Sequence, residues 1–297
     1  MKLRKFNVLL PLVAVCFTSA ITHAQSVAID TFNYAAIEKS AASSYVQAAN
    51  VAFPAILSGH EAPAMDYVEN FSTKRRDYLI RTYNRGKRFF GKAATILKKY
   101  QLPQELKVLL ALESGFNANA VSGAGAVGYW QFMDETAKEY GLRIVEQPSK
   151  EEKAKVAKVK LSPDSVTKLK KAQAKLNAKD ERRNFARSTH AAAKYLRDRS
   201  RNLNNNWLLV VASYNCGVGN VWDAMAKSGK PNPSYWDIKD FLPAETRGYV
   251  QNFIALNAIY NNYEKFLAKT LTFKPSTIKV DRFEQTIGEA LGSPGLK

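Results

Sequence analysis

One stretch, Leu102 to Met133 (LPQELKVLLALESGFNANAVSGAGAVGYWQFM), constrains this chain most, because it aims an acid at a protein core. Pro103 suits the first turn of a helix, where its missing N–H costs nothing, and Gln104 and Glu105 follow before the apolar run. Leu106, Leu109 and Leu110 then fall at i, i+3 and i+4, and the i+7 position of that stripe is Glu113. Gly115 closes the helix two residues later, so the carboxyl sits at the negative end of the helix dipole as well as on the buried side. Both placements disfavour the ionised form and raise its pKa, as a general acid near neutral pH requires. A buried acid can equally be a paired structural residue, and the residues after Glu113 weigh on the choice. Ser122 to Gly128 (SGAGAVG) is built of small residues that let backbone approach a ligand, and Tyr129-Trp130-Gln131-Phe132 offers aromatic faces and an amide, surfaces suited to sugar rings. A phosphate loop is the rival, but neither G-K-[ST] nor G-x-G-x-x-G is present.

The N-terminus reads as a leader. Lys2, Arg4 and Lys5 precede an apolar run from Phe6 to Phe17, and Thr22-His23-Ala24 offers a small-residue cleavage site, so residues 1–24 are expected to be a signal peptide. The run is shorter than the roughly 20 residues that cross a bilayer. Cys16 raises lipoprotein processing, though bulky Val15 before it fits that signal poorly. After cleavage Cys216 is alone, which excludes an internal disulfide and is expected to make it a small buried residue. His60 and His190 are then the remaining histidines, and no metal-ligand spacing occurs, so no metal and no cofactor are expected. Net charge is +18 with a pI near 9.7, and loss of Lys2, Arg4 and Lys5 leaves +15. Such a chain meets polyanions outside the cytoplasm: wall polymers, lipid phosphates or nucleic acid, among which charge alone does not choose.

The remaining segments read mainly as helices. Residues 25–100 form a helical N-terminal extension, in which Tyr67, Val68, Phe71, Tyr78, Leu79, Tyr83, Phe89, Phe90, Ile96 and Leu97 mark two amphipathic helices broken near Gly86 or Gly91. Residues 101–268 form the main domain. Asp134 is expected to cap a short helix that Gly141 ends, and residues 145–178 form a Lys-rich insertion of one or two exposed helices broken at Ser162-Pro163-Asp164. That insertion is either a solvated face or a flap that leans on an anionic wall or membrane surface. Ser188 or Thr189 can start the next helix, and Asn202 to Asn206 form a polar loop. Trp207, Val210, Val211 and Tyr214 repeat the i, i+3, i+4, i+7 pattern and deliver Tyr214-Asn215 to the inner face, and a last long helix begins near Glu245. No comparable strand pattern appears before Thr270; residues 269–297 form a small tail holding a short strand and helix. The fold class is therefore mainly α.

Four motifs now stand in order: Glu113-Ser114, GAVGYWQFM ending at Met133, Ser213-Tyr214-Asn215 with Gly217, and ETRGYV from Glu245. Together they resemble the motifs of family 1 lytic transglycosylases, which share a helical fold with goose-type lysozyme. DERRNFARSTHAAAKYL from Asp180 is similar to the membrane-bound type D branch. Any one motif is weak; four in order, over roughly Val68 to Tyr263, are specific.

The resemblance implies a lysozyme-like (SLT) domain with Glu113 as the single catalytic acid and base, and with Ser122, Gln131, Tyr214, Asn215 and Tyr249 binding the substrate. Most glycosidases use two carboxylates, and no obvious second one stands near Glu113 in sequence. The family's chemistry is then that Glu113 protonates the glycosidic oxygen between N-acetylmuramic acid and N-acetylglucosamine. The substrate's 2-acetamido group stabilises the sugar cation, and the resulting carboxylate takes a proton from the C6 hydroxyl, which closes a 1,6-anhydro ring. The partners implied are peptidoglycan glycan strands, with electrostatic contact to anionic envelope surfaces and no specific nucleic acid, in a protein exported to the periplasm or envelope, with outer-membrane association as one option. Three departures stand out: Ser213 where the family usually has Ala, a longer connection at 145–178, and no C-terminal LysM repeats. The rivals are a hydrolytic muramidase on the same fold and a non-catalytic wall-binding protein.

Overall fold

A computed structural model of the chain describes residues 44–145 and 162–279. The expected leader with Cys16, and residues 146–161 of the Lys-rich segment, lie outside the described residues. Val46–Thr277 form one compact unit, and Met1–Tyr45 with Ile278–Lys297 form another that lies almost wholly outside them. The mainly helical expectation is met. In chain order the elements are β1 Ser44–Gln47, α1 Glu61–Lys74, α2 Arg76–Lys99, α3 Leu109–Ser114, α4 Asp134–Glu139, α5 Pro163–Asn177, α6 Phe185–Asn202, α7 Trp207–Cys216, α8 Val218–Ser228, α9 Tyr235–Ile238, α10 Ala244–Asn261, α11 Tyr263–Leu267 and β2 Ser276–Lys279. β1 and β2 pair in a two-stranded sheet; β1 is too short to leave an alternating pattern in the sequence.

Two helices sit at the centre. Every residue from Phe253 to Ile259 of α10 is buried, as is every residue from Leu208 to Ser213 of α7, so these helices are covered on all sides rather than along one stripe. α1, α3 and α7 pack on α10, and α2 packs on α6. α2 is amphipathic, burying Leu79, Thr82, Gly86, Phe89, Ala93, Ile96 and Leu97.

Several boundaries differ from the sequence reading. The break between the first two helices falls at Arg75, not at a glycine: a Cβ on Gly86 would come within 2.6 Å of Phe90 and 2.7 Å of Phe116, so that glycine admits aromatic rings rather than ending a helix. Pro103 precedes a 3-10 turn, Gln104–Val108, that leads into the much shorter α3. α4 is capped at Met133, and Asp134 occupies its first turn with its carboxylate on Arg182. α6 starts at Phe185, where the Asn184 side chain accepts from the Arg187 N–H. Ser188 and Thr189 lie inside that helix, buried and bonded back to the Asn184 and Phe185 carbonyls at 2.7 and 2.6 Å. Cys216 is half-exposed rather than buried, because it ends α7 where the chain turns outward.

Candidate active site

The leucine stripe behaves as its spacing demands. Leu106, Leu109 and Leu110 are fully buried, and Glu113 follows one turn later at the end of α3, before Gly115 takes the left-handed conformation (φ 55°) that closes the helix. Glu113 keeps part of its surface open while its carboxyl is withdrawn from water. Burial is the leading cause that pushes its pKa up to about 7; the hydrogen bond from Tyr249 opposes it, and the nearby charge of Glu245 adds to it.

Tyr249 donates its phenolic O–H to Glu113 Oε1. The Tyr214 hydroxyl donates instead to the Trp130 carbonyl at 2.8 Å, tying α7 to the glycine-rich loop. Both phenols titrate well above the ordinary tyrosine range, first through burial and then through the charge of Glu113 beside them. Asn215 accepts from Thr246 Oγ1 at 2.7 Å, a bridge between α7 and α10 rather than a helix cap. The structure thus brings Glu113, Tyr214 and Tyr249 together, with Asn215 held at the edge.

Ser122 and Gln131 lie on the loop that runs back past α3. That loop is a small antiparallel knot in which Val127 bridges both Val121 and Phe132. Ser122 accepts the Ala126 N–H on its Oγ at 3.0 Å and is exposed, and among the described residues its hydroxyl donates to none. Gln131 adopts φ 49° and spends its amide N–H groups on the Gly128 and Ala120 carbonyls at 2.8 and 3.3 Å, and its Oε1 accepts from none of the described residues. Neither side chain bonds Glu113; both are positioned by the loop.

Of the aromatic faces expected of Tyr129-Trp130-Gln131-Phe132, those of Trp130 and Phe132 are not presented to solvent, and Tyr129 is half-buried. Trp130 and Phe132 are buried, with the Trp130 indole N–H donating to Thr189 Oγ1 at 3.0 Å, and Tyr129 packs edge-on against Phe89 and Phe185. These rings anchor the loop to the core. A second anchor comes from the Asp180-Glu181-Arg182-Arg183 segment. Arg182 is fully buried, paired bidentately with Asp180 at 2.7 and 3.0 Å and also with Asp134. Its carbonyl lies so close to Gly128 (φ 86°) that no side chain fits there. Ser114 completes the frame by donating to the Tyr129 carbonyl at 2.8 Å.

Three residues stood in the quoted motifs without a role, Ser114, Glu245 and Thr246, and the structure gives each a contact or a charge at the site. Glu245 and Tyr249 are four residues apart on α10 and share a face, so the i, i+4 rule offered a signal for the second acid once Tyr249 was singled out. Among the described residues, no group of three or more His, Cys, Asp or Glu is arranged to hold a metal ion.

The family model for the Transglycosylase SLT domain matches residues 89–157 and 159–236. The chain is 28% identical over 195 residues to membrane-bound lytic murein transglycosylase D of Escherichia coli strain K12, an alignment that takes in 65% of this chain and 36% of the relative. The chain therefore spans about a third of that relative's length. Among solved structures, an inactive mutant of lytic transglycosylase Slt from Pseudomonas aeruginosa is 23% identical with a TM-score of 0.41, over 61% of this chain and 25% of that one. The 70 kDa soluble lytic transglycosylase of Escherichia coli is 18% identical with a TM-score of 0.40, over 75% of this chain and 38% of that one. Over residues 89–157 and 159–236, just under half of its length, the chain is similar to the transglycosylase SLT domain.

Proposed function

We propose that the chain is a peptidoglycan lytic transglycosylase that cuts the β-1,4 bond between N-acetylmuramic acid and N-acetylglucosamine and leaves 1,6-anhydromuramic ends. The observation that carries this reading is the state of Glu113: a desolvated carboxyl with a pKa of about 7, held in one orientation by the Tyr249 phenol. Near neutral pH such a group exists in both protonation states, so it can give a proton to the glycosidic oxygen and then, as the carboxylate, take one from the C6 hydroxyl. The Tyr249 hydrogen bond favours the carboxylate that forms after the first step, and the Glu245 charge favours the acid that precedes it. Ser122, Gln131, Tyr214, Asn215 and Tyr249 are the residues proposed to line the glycan path. Ser122 and Gln131 would each offer one remaining polar atom, a hydroxyl hydrogen and an amide oxygen. The charge of the chain and its leader-like N-terminus support action in the cell envelope. The murein named for the E. coli relative supports the same substrate. Among the described residues, no helix is long and apolar enough to cross a membrane.

Glu245 favours a second reading. It is exposed and close enough to Glu113 to shift it, so it could position a water for a hydrolytic muramidase. One experiment separates the two: mass spectrometry of isolated sacculi digested by the wild type and by Glu113→Gln. Anhydromuramic ends from the wild type and none from the variant are expected. Reducing ends alone would establish hydrolysis, and an active variant would remove Glu113 from its role.

A further inference from the structure

The Lys-rich α5 contributes no buried residue. It is held by local signals, with Pro163 at its first position and the Ser162 Oγ accepting the Ser165 N–H at 3.3 Å. A helix so placed needs only polar residues facing outward. Leu169 and Leu176 nevertheless stand on one face with Ala172 between them, 48% and 45% exposed. Lys168 and Lys175 border that stripe at i and i+7, and Lys179 follows in the turn just after the helix ends at Asn177. Asp164 is the one acid between Pro163 and Lys179. On the opposite border Val166, Gln173 and Asn177 are half-buried, so the leucines and the flanking lysines are the outward part of the helix.

We propose that α5 docks on an anionic phospholipid surface, with Leu169 and Leu176 entering the headgroup boundary and the lysines meeting lipid phosphates. The charge is complementary to such a surface, and the pairing of an apolar stripe with bordering lysines is what an interfacial helix needs. An anionic wall polymer would satisfy the lysines but offers nothing to two exposed leucines, which is why lipid is favoured. This inference is independent of the reaction at Glu113. It concerns where the protein stands, not what it cuts.

The test is sedimentation of the full chain with vesicles of equal parts phosphatidylglycerol and phosphatidylcholine, compared with phosphatidylcholine alone. Two variants are read beside the wild type, Leu169→Gln/Leu176→Gln and Lys168→Gln/Lys175→Gln/Lys179→Gln. All five positions are exposed, so unchanged thermal unfolding is the control for folding. The wild type should prefer the anionic vesicles. Losing three lysines should weaken partitioning about a hundredfold, at about fivefold each, and losing the leucines should weaken it about tenfold. Binding that survives both variants overturns the proposal, because another segment then carries it. Equal binding to neutral vesicles, or sedimentation with isolated sacculi and not with vesicles, overturns it as well.

Discussion

Replacing Glu113 with Gln should stabilise the protein, and only where the pH is high enough to ionise the native acid. In the fold the carboxyl titrates at about 7 against an ordinary value of 4.5. Because the folded-state pKa is raised, the acid's favourable contribution is complete below pH 4.5 and is lost as pH rises through 7. A shift of this size, at 1.36 kcal/mol per pH unit, amounts to about 3 kcal/mol once both states have ionised. Glutamine mimics the neutral acid, keeps an oxygen for the Tyr249 phenol and does not titrate. The variant and the wild type should therefore unfold alike at pH 4.5 and diverge by about 3 kcal/mol above pH 8, or roughly 6 to 12 °C in Tm for a chain of this size. Urea titrations and thermal unfolding of both proteins across this range give the curve directly. A difference that is constant with pH, or that favours the wild type at alkaline pH, would refute the claim that burial raises this acid. A confirmed curve would show stability given up for a functional group.

The two neighbours of Glu113 should move the pH dependence of sacculus cleavage in opposite directions. Tyr249→Phe removes the bond that lowers the acid's pKa, so the alkaline limb should shift upward while the maximal rate falls. Glu245→Gln removes a like charge, so the limb should shift downward. Parallel shifts in the two profiles would refute the assignment. Gly128→Ala combines a strained positive φ with a collision against the Arg182 carbonyl. It should cost about 3 kcal/mol or more, measured as a lowered urea midpoint.

Much of the fold was legible because helical periodicity is a local property. The burial of Leu106, Leu109 and Leu110 before Glu113, a helix from Trp207 through Tyr214 and the start of α10 near Glu245 were all expected and are found there. Misplaced boundaries have a common cause. Gly86 looks like a helix break until Phe90 and Phe116 are seen to need its missing side chain, and Ser188 and Thr189 look like caps until Asn184 is found in that place. Propensity is a preference of the isolated chain, and packing with distant residues overrides it.

At the site the division is similar. The sequence alone determined that an acid lies on the apolar face of a helix near its C-terminal end, beside a loop of small residues, in a basic chain with a leader-like N-terminus. Only the tertiary structure decided that burial is the main cause of the raised pKa, and that Tyr249 rather than a loop residue bonds the carboxyl. It also decided that Trp130 anchors the loop instead of facing a sugar, and that Glu245 supplies a second charge. The physical reason is distance along the chain. Tyr249 and Glu113 are 136 residues apart, and no periodicity reports a contact that forms only when α3, α7 and α10 close around one another.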